Sequence, residues 1–296
     1  MDAAISVHRL RKQYGGHAVL DGLEFSVRRG EVFALLGPNG AGKTTTISIL
    51  TTLQLPDGGE ASVAGFDVAT SPRDVQQRIA LTGQAAAVDD VLTGAENLMM
   101  LGRLSGLRPR MARERATELL ARFDLTDAAS RPVGTYSGGM RRRLDLALSL
   151  VVTPEVLFLD EPTTGLDTRS RRELWDVIRT LAAGGTTVFL TTQYLEEADQ
   201  LADRVAVLHG GRIAASGAPS ELKSRVGTEV VELRDPAGEL LQEIATDGTV
   251  RGLRAALDTL DADRDEGAVT LRRPTLDDVF LALTDDPAAL PERSTP

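Results

Sequence analysis

The chain has 296 residues, enough for one large domain with an appendage or for two domains with separate cores. Apolar content of 42% and charged content of 26% are those of an ordinary soluble globular protein; the absence of cysteine excludes disulfides and thiolate metal sites, and three scattered histidines (His8, His17, His209) argue against a histidine metal site. The formal charge of −10 argues against nucleic acid as the main partner, because a phosphate backbone rewards a basic surface.

In chain order, residues 5–10 (ISVHRL) alternate like a half-buried strand, Gly15 and Gly16 mark a turn before Ala18, Val19 and Leu20, and residues 23–27 (LEFSV) alternate again. Antiparallel strands therefore precede the first fully apolar strand, residues 32–36 (VFALL). The first ten residues lack an apolar signal segment, and the longest apolar run, residues 144–152, is broken by Asp145. The expectation is a cytosolic chain without a transmembrane segment.

Residues 37–45, GPNGAGKTT, fit the G-x-x-x-x-G-K-[ST] phosphate loop, with an apolar strand before it and a helix-compatible run after it. Gly37, Gly40 and Gly42, with Pro38, Asn39 and Ala41 between them, let successive N–H groups point inward, and the helix opening at Lys43 adds its positive end. In this pattern Lys43 reaches the β- and γ-phosphates and the Thr44 hydroxyl ligates Mg²⁺, with Thr45 beside it. Lys12 and Lys223 are the only other lysines.

After the loop helix, residues 56–59 (PDGG) read as a turn and 61–65 as a short strand, and the run 79–83 (IALTG) ends at Gln84. Residues 88–152 turn helical, a helical insert whose basic run Arg108, Arg110, Arg113 and Arg115 reads as a solvated face. Within it, residues 135–141 (TYSGGMR) form a polar glycine turn that opens a helix. Ser137 reads as an N-cap there, and with the N–H groups of Gly138, Gly139 and Met140 as a second anion site. Residues 156–159 (VLFL) are a buried strand ending in Asp160-Glu161-Pro162. Carboxylates at that end of a strand, beside a phosphate loop, suit chemistry: Asp160 can hold Mg²⁺, largely through water, and Glu161 can orient and deprotonate an attacking water. A helix (169–183), a strand (187–192), a helix (194–202) and a hairpin (205–214) follow, so the alternation predicts a mainly parallel, three-layer α/β sheet.

Composition breaks near residue 218. Residues 218–296 hold 9 basic and 17 acidic residues, most of the net charge. The expected organisation is a phosphate-loop core over 1–217, with its helical subdomain at about 88–152, and a small acidic α+β domain over 218–296 with a flexible tail from about 287. Strands at 230–234 and 268–272, a helix at 253–260 and a capped helix at 274–281 make up that second domain.

Over residues 5–217 the chain resembles the ATP-binding subunits of ABC transporters, because Tyr14, GPNGAGKTT, Gln84, YSGGM, VLFLDEP and Gly165-Leu166-Asp167 occur in that family's order. The resemblance implies the ABC-type variant of the phosphate-loop fold, ATP and Mg²⁺ as cofactors, Tyr14 stacking on adenine, and Gln84 as a Mg²⁺- and partner-sensing group. From the residues alone Tyr14 reads more readily as edge-strand packing, although its ring could stack on adenine. The resemblance further implies a head-to-tail dimer in which Ser137, Gly138, Gly139 and Met140 of one copy cap the γ-phosphate held by Lys43 of the other. Glu161 is then the base, Asp167 crosses the interface, and motion passes to a membrane partner through the region after Gln84. Two departures stand out. Gln193, in TTQY, replaces the usual histidine and can donate a hydrogen bond without taking up a proton, so slow turnover is expected. Met140 replaces the commoner glutamine.

The TTQYLEEAD run and the RPTLDDVFLALT ending are similar to drug exporter ATPases of the daunorubicin-resistance type. That narrower resemblance implies ATP-driven export of a drug or antibiotic-like molecule through a separate ABC-2-like membrane permease subunit, by an ATP-dependent homodimer peripheral to the cytoplasmic face of a bacterial membrane. A soluble ABC ATPase of ribosomes or DNA, and an importer ATPase, are the alternative readings. For the C-terminal domain, regulation or permease contact stands beside a dimer-stabilising or merely solvated module.

Overall fold

The computed structural model describes residues 3–83, 88–260 and 267–285. The chain divides into two compact units, Met1–Ser216 and Gly217–Pro296.

The first unit opens with the long antiparallel pair β1 (Ala3–Tyr14) and β2 (His17–Arg28), turning at Gly15-Gly16. The two short runs read in the sequence at 18–20 and 23–27 are one strand. Gly22, at φ 78°, absorbs an extra residue as a bulge between the pairs Leu10↔Leu23 and Arg11↔Asp21. Then come β3 (Val32–Leu36), α1 (Lys43–Leu50), β4 (Gly58–Val63), β5 (Phe66–Asp67), α2 (Pro72–Gln76) and β6 (Ile79–Thr82). Gly58 and Gly59, expected in a turn, begin β4. A second bulge in β1 places the Arg9 carbonyl where a Cβ on Gly59 would fall, so only glycine fits.

The helical insert contains α3 (Gly94–Leu104), α4 (Pro109–Arg122) and α5 (Gly138–Ser149). A reciprocal capping box between Thr93 and Glu96 starts α3. Arg115 departs from the expected solvated face: its guanidinium donates to the carbonyls of Leu150 (2.7 Å) and Val151 (3.3 Å), tying α4 to the end of α5. Arg108, Arg110 and Arg113 are exposed.

The remaining elements of this unit are β7 (Val156–Asp160), α6 (Thr168–Ala183), β8 (Thr187–Thr192), α7 (Leu195–Leu201), β9 (Arg204–His209) and β10 (Arg212–Gly217). Among the described residues the main sheet has the order β10-β9-β3-β8-β7-β6, with β9, β3, β8, β7 and β6 parallel. A second, antiparallel sheet runs β2-β1-β4-β5. Every residue of β3, β7 and β8 is buried, as continuous apolar strands covered on both faces must be. Phe25 of the antiparallel sheet stacks on Phe33 (5.2 Å between centroids), which stacks on Phe189 (5.5 Å), so one aromatic column joins the two sheets.

The second unit holds α8 (Pro219–Val226), β11 (Glu229–Arg234), β12 (Leu240–Thr246), α9 (Val250–Thr259), β13 (Ala268–Arg272) and α10 (Leu276–Asp285), with the antiparallel order β12-β11-β13. Leu222, Val231, Leu233, Ala256, Leu276, Val279 and Leu283 form its buried interior. The short helix α8 and the strand β12 were not expected; β12 turns Gln242, Ile244 and Thr246 inward, and because two of those three are polar its sequence shows no apolar alternation. The tail expected from about 287 lies outside the described residues.

Candidate active site

Parallel strands place their C-terminal ends on one edge of the sheet, the usual place for a ligand in an open α/β fold. Here β3 runs into the loop 37–42, β7 into Glu161 and β8 into Gln193. The register pairs Leu36 with Thr192 and Asp160 with Thr191, so the three exits stand side by side.

The loop itself is shaped by close approaches. A Cβ on Gly37 would lie 2.6 Å from the Leu208 carbonyl, while Gly40 (φ 81°) and Gly42 (φ 107°) take left-handed backbone angles. The Gly37 N–H donates to Thr192 and that of Ala41 to Pro38. Among the described residues nothing accepts from the N–H groups of Gly40, Gly42, Lys43 or Thr44. Four free donors at the start of α1 form an anion cradle, and the helix dipole adds to it. A cleft of about 250 Å³ opens over it, lined by Val19, Asn39, Gly40, Gly42, Lys43, Thr44, Thr45 and Glu161.

Lys43, with 4% of its side chain exposed, donates to the carbonyls of Gly37 (2.8 Å) and Pro38 (3.1 Å) and pairs with Glu161 at 3.1 Å. The Thr44 hydroxyl donates to Asp160 Oδ2 at 3.0 Å, and the Thr191 hydroxyl to Asp160 Oδ1 at 2.6 Å. Thr191 also receives the Glu161 N–H, on its carbonyl and on its hydroxyl, both at 3.1 Å. Glu161 itself sits at φ 47°, a left-handed conformation that costs a non-glycine residue about 1–3 kcal/mol and persists only where the surroundings impose it. Thr191 was not singled out in the sequence. Its signal was available in the polar residue closing an apolar strand next to the acidic one.

Ser137 caps α5, its hydroxyl accepting from the Met140 N–H at 3.2 Å. Neither Ser137 nor Gly139 lines the Lys43 cleft. Gly139 faces instead the start of α6: a Cβ on it would strike the Ser170 hydroxyl, which donates to Asp167 at 2.9 Å. Asp167 caps α6, and the Ser170 N–H and hydroxyl hold its carboxyl below the usual carboxylate range. A second cleft, of about 350 Å³, is lined by Gly138, Arg141, Arg142, Glu161, Thr164, Gly165 and Leu166. Glu161 is common to the two clefts.

Other expected residues are placed as follows. Tyr14 does not line the Lys43 cleft. Its exposed ring lies 5.6 Å from the Lys12 ammonium and its hydroxyl bonds Gln54. Gln193 is half-buried just beyond β8. Gln84 lies outside the described residues. Among the described residues no group of three or more His, Asp or Glu could by itself hold a metal ion; Thr44 and Asp160 offer two oxygen donors beside the cradle, which suits a cation shared with phosphate oxygens.

A parallel sheet with an anion cradle, a buried lysine and a carboxylate pair at its strand ends defines a phosphate-loop nucleotide triphosphatase. Comparison with known proteins refines that class. A family described as "ABC transporter" matches residues 20–164. The chain is 52% identical to a daunorubicin resistance ATP-binding protein of Streptomyces coeruleorubidus, covering 95% of each chain. It is 50% identical to a daunorubicin/doxorubicin resistance ATP-binding protein of Streptomyces peucetius, covering 99% of this chain and 95% of the other. Its structure superposes on that of cbiO1 from Clostridium perfringens, described as part of an ABC transporter complex, with a TM-score of 0.71, 26% identity, and 76% of this chain and 92% of the other covered. The chain belongs to the ATP-binding subunits of ABC transporters, with the ABC-type α/β fold, and it binds and hydrolyses ATP. No helix among the described residues is long and apolar enough to cross a membrane, and a transporter subunit of this kind works with a membrane partner.

Proposed function

We propose that ATP hydrolysis by this chain energises export of a drug or antibiotic-like molecule through a separate ABC-2-like permease, the subunit lying peripherally on the cytoplasmic face of a bacterial membrane. The names of the two Streptomyces relatives support the cargo class, and identity over nearly the full length, C-terminal unit included, supports carrying it to this chain. The second unit then acts as an accessory or regulatory domain.

The observation that supports the mechanism is that the two anion-binding helix starts line different clefts. Lys43 and the free N–H groups line one, and Gly138, at the start of the Ser137-capped helix, lines the other, with Glu161 shared between them. In this reading one nucleotide uses both when a second copy turns head to tail, so that its Ser137, Gly138, Gly139 and Met140 close over the γ-phosphate. In that arrangement the loop 37–45 holds the phosphates, Tyr14 offers its ring to the base, and Glu161 takes the proton of the attacking water. Gln193 donates a hydrogen bond to the γ-phosphate, and Asp167 meets the partner. Thr44, Asp160 and Gln84 hold Mg²⁺, which when bound neutralises charge developing on the transferred phosphoryl group. Glu161 must leave Lys43 for this to happen, since phosphate and carboxylate compete for one ammonium.

The test is the mass of Glu161→Gln by size exclusion with light scattering, with and without Mg-ATP. A shift from monomer to dimer is expected. Binding of ATP with no shift would overturn the homodimer.

A further inference from the structure

Three consecutive arginines at the start of α5, Arg141, Arg142 and Arg143, clamp that helix to three different segments. Arg141 bonds Asp90. Arg143 donates to the Phe123 carbonyl at 3.2 Å and approaches Glu173 of α6 at 3.8 Å. Arg142 reaches into the active site. Its Nε–H donates to the Pro162 carbonyl (2.8 Å), and its Nη1 donates to the Gly83 carbonyl (2.8 Å) and to Asp145 (3.2 Å).

Those two carbonyls are not arbitrary. Pro162 directly follows Glu161, and Gly83 is the first residue past β6. Glu161 holds a left-handed backbone angle that its side chain disfavours, so flanking contacts have to maintain it. On its N-terminal side Thr191 accepts the Glu161 N–H; on its C-terminal side the Arg142 guanidinium holds the next carbonyl. The planar fork suits this task, because rigid donors pointing in different directions fix two acceptors relative to one another. The side chain is 13% exposed, and burial pulls its pKa down while the charges of Asp145, Asp160 and Glu197 pull it up. A guanidinium still remains charged throughout the physiological range.

We propose that Arg142 is a positioning residue for ATP hydrolysis: by holding the Pro162 and Gly83 carbonyls to the helix that opens at Ser137, it sets the Glu161 carboxylate in its working position. In this role Arg142 acts through the two carbonyls that it holds. It transmits the position of the Ser137 helix to the base, so closure of a partner on that helix is felt at Glu161. This rests on the reading of Glu161 as the base.

The test compares Arg142→Gln, Arg142→Lys, Glu161→Gln and the unaltered full-length chain. Steady-state phosphate release gives kcat and KM for ATP, fluorescent-nucleotide titration gives binding, and thermal unfolding gives Tm. Both Arg142 variants are expected to lower kcat by about 10- to 100-fold, the usual effect of a slight misplacement of a reacting group, with ATP binding unchanged. Lysine, which keeps the charge and can still reach one carbonyl, should retain more kcat than glutamine at the same Tm. An unchanged kcat overturns the proposal, as does a kcat that falls only in step with Tm in both variants. Should Glu161→Gln keep full turnover, the base assignment fails instead, whatever Arg142 does.

Discussion

Lys43 and Glu161 form a nearly buried ion pair, 3.1 Å apart, in the cleft where phosphate must bind. The pair gives the ammonium a counter-charge beside the two carbonyls that it donates to, because a charge at 4% exposure without one is costly. It also means that nucleotide entry exchanges one anionic partner for another. Glu161→Gln removes the competitor, so it should bind ATP at least as tightly as the unaltered chain while phosphate release drops by a factor of about 100 or more. Lys43→Ala should instead lose ATP binding itself. Titration with a fluorescent ATP analogue beside a phosphate-release assay separates the two, and weaker binding by Glu161→Gln would contradict the competition.

Thr191 serves both acidic residues at once, donating to Asp160 at 2.6 Å and accepting from the Glu161 N–H at 3.1 Å. Thr191→Val keeps the shape and removes both hydroxyl contacts, leaving a buried carboxylate short of a donor. The expected cost is about 1–3 kcal/mol of stability, with a kcat loss in addition. Denaturant unfolding should show a lower midpoint with an unchanged slope; an unshifted midpoint would mean that Asp160 is satisfied without it.

Much of this site was legible in the sequence because its chemistry is local. The phosphate loop, the Ser137 cap and the strand ends at Asp160 and Glu161 are each fixed by a few adjacent residues. What stayed hidden depends on pairing between distant segments. Gly59 belongs to a strand and not a turn because of a bulge at Arg9 some fifty positions earlier, and Arg142 matters through carbonyls of Gly83 and Pro162. The composition of Pro56-Asp57-Gly58-Gly59 is that of a turn either way.

Gln193 stands just past β8, alongside the exit of β7 to Glu161. In the proposed site an amide there would donate to phosphate without titrating. Gln193→Ala should lower kcat by about 10- to 1000-fold, as loss of a donor aimed at developing charge does, with little change in ATP binding. Gln193→His should retain turnover and add an inflection to the pH–rate profile near the histidine pKa of about 6.5, absent from the unaltered chain. Identical profiles for the two would show that residue 193 does not touch the reacting phosphate.

Glu197 on α7 is fully buried, and burial pushes its carboxyl pKa up, against the opposing influence of the Thr192, Thr163 and Trp175 side chains and the charge of Arg171. Oε1 accepts from Trp175 Nε1 at 3.2 Å, whereas among the described residues neither Oε2 nor the Thr163 hydroxyl has a hydrogen-bond partner. A raised folded pKa means that the folded state favours the protonated form. Its stabilising contribution is therefore complete below the ordinary glutamate value of 4.5 and is lost as pH rises through the folded pKa. Glu197→Gln mimics the protonated acid: its amide oxygen can keep the Trp175 bond, and its NH₂ can donate to Thr163. The variant should match the unaltered chain in Tm near pH 4 and exceed it at pH 8, the difference opening as pH rises. Tm measured across that range decides it, and a gap of the same size at both ends would mean that Glu197 does not titrate on folding.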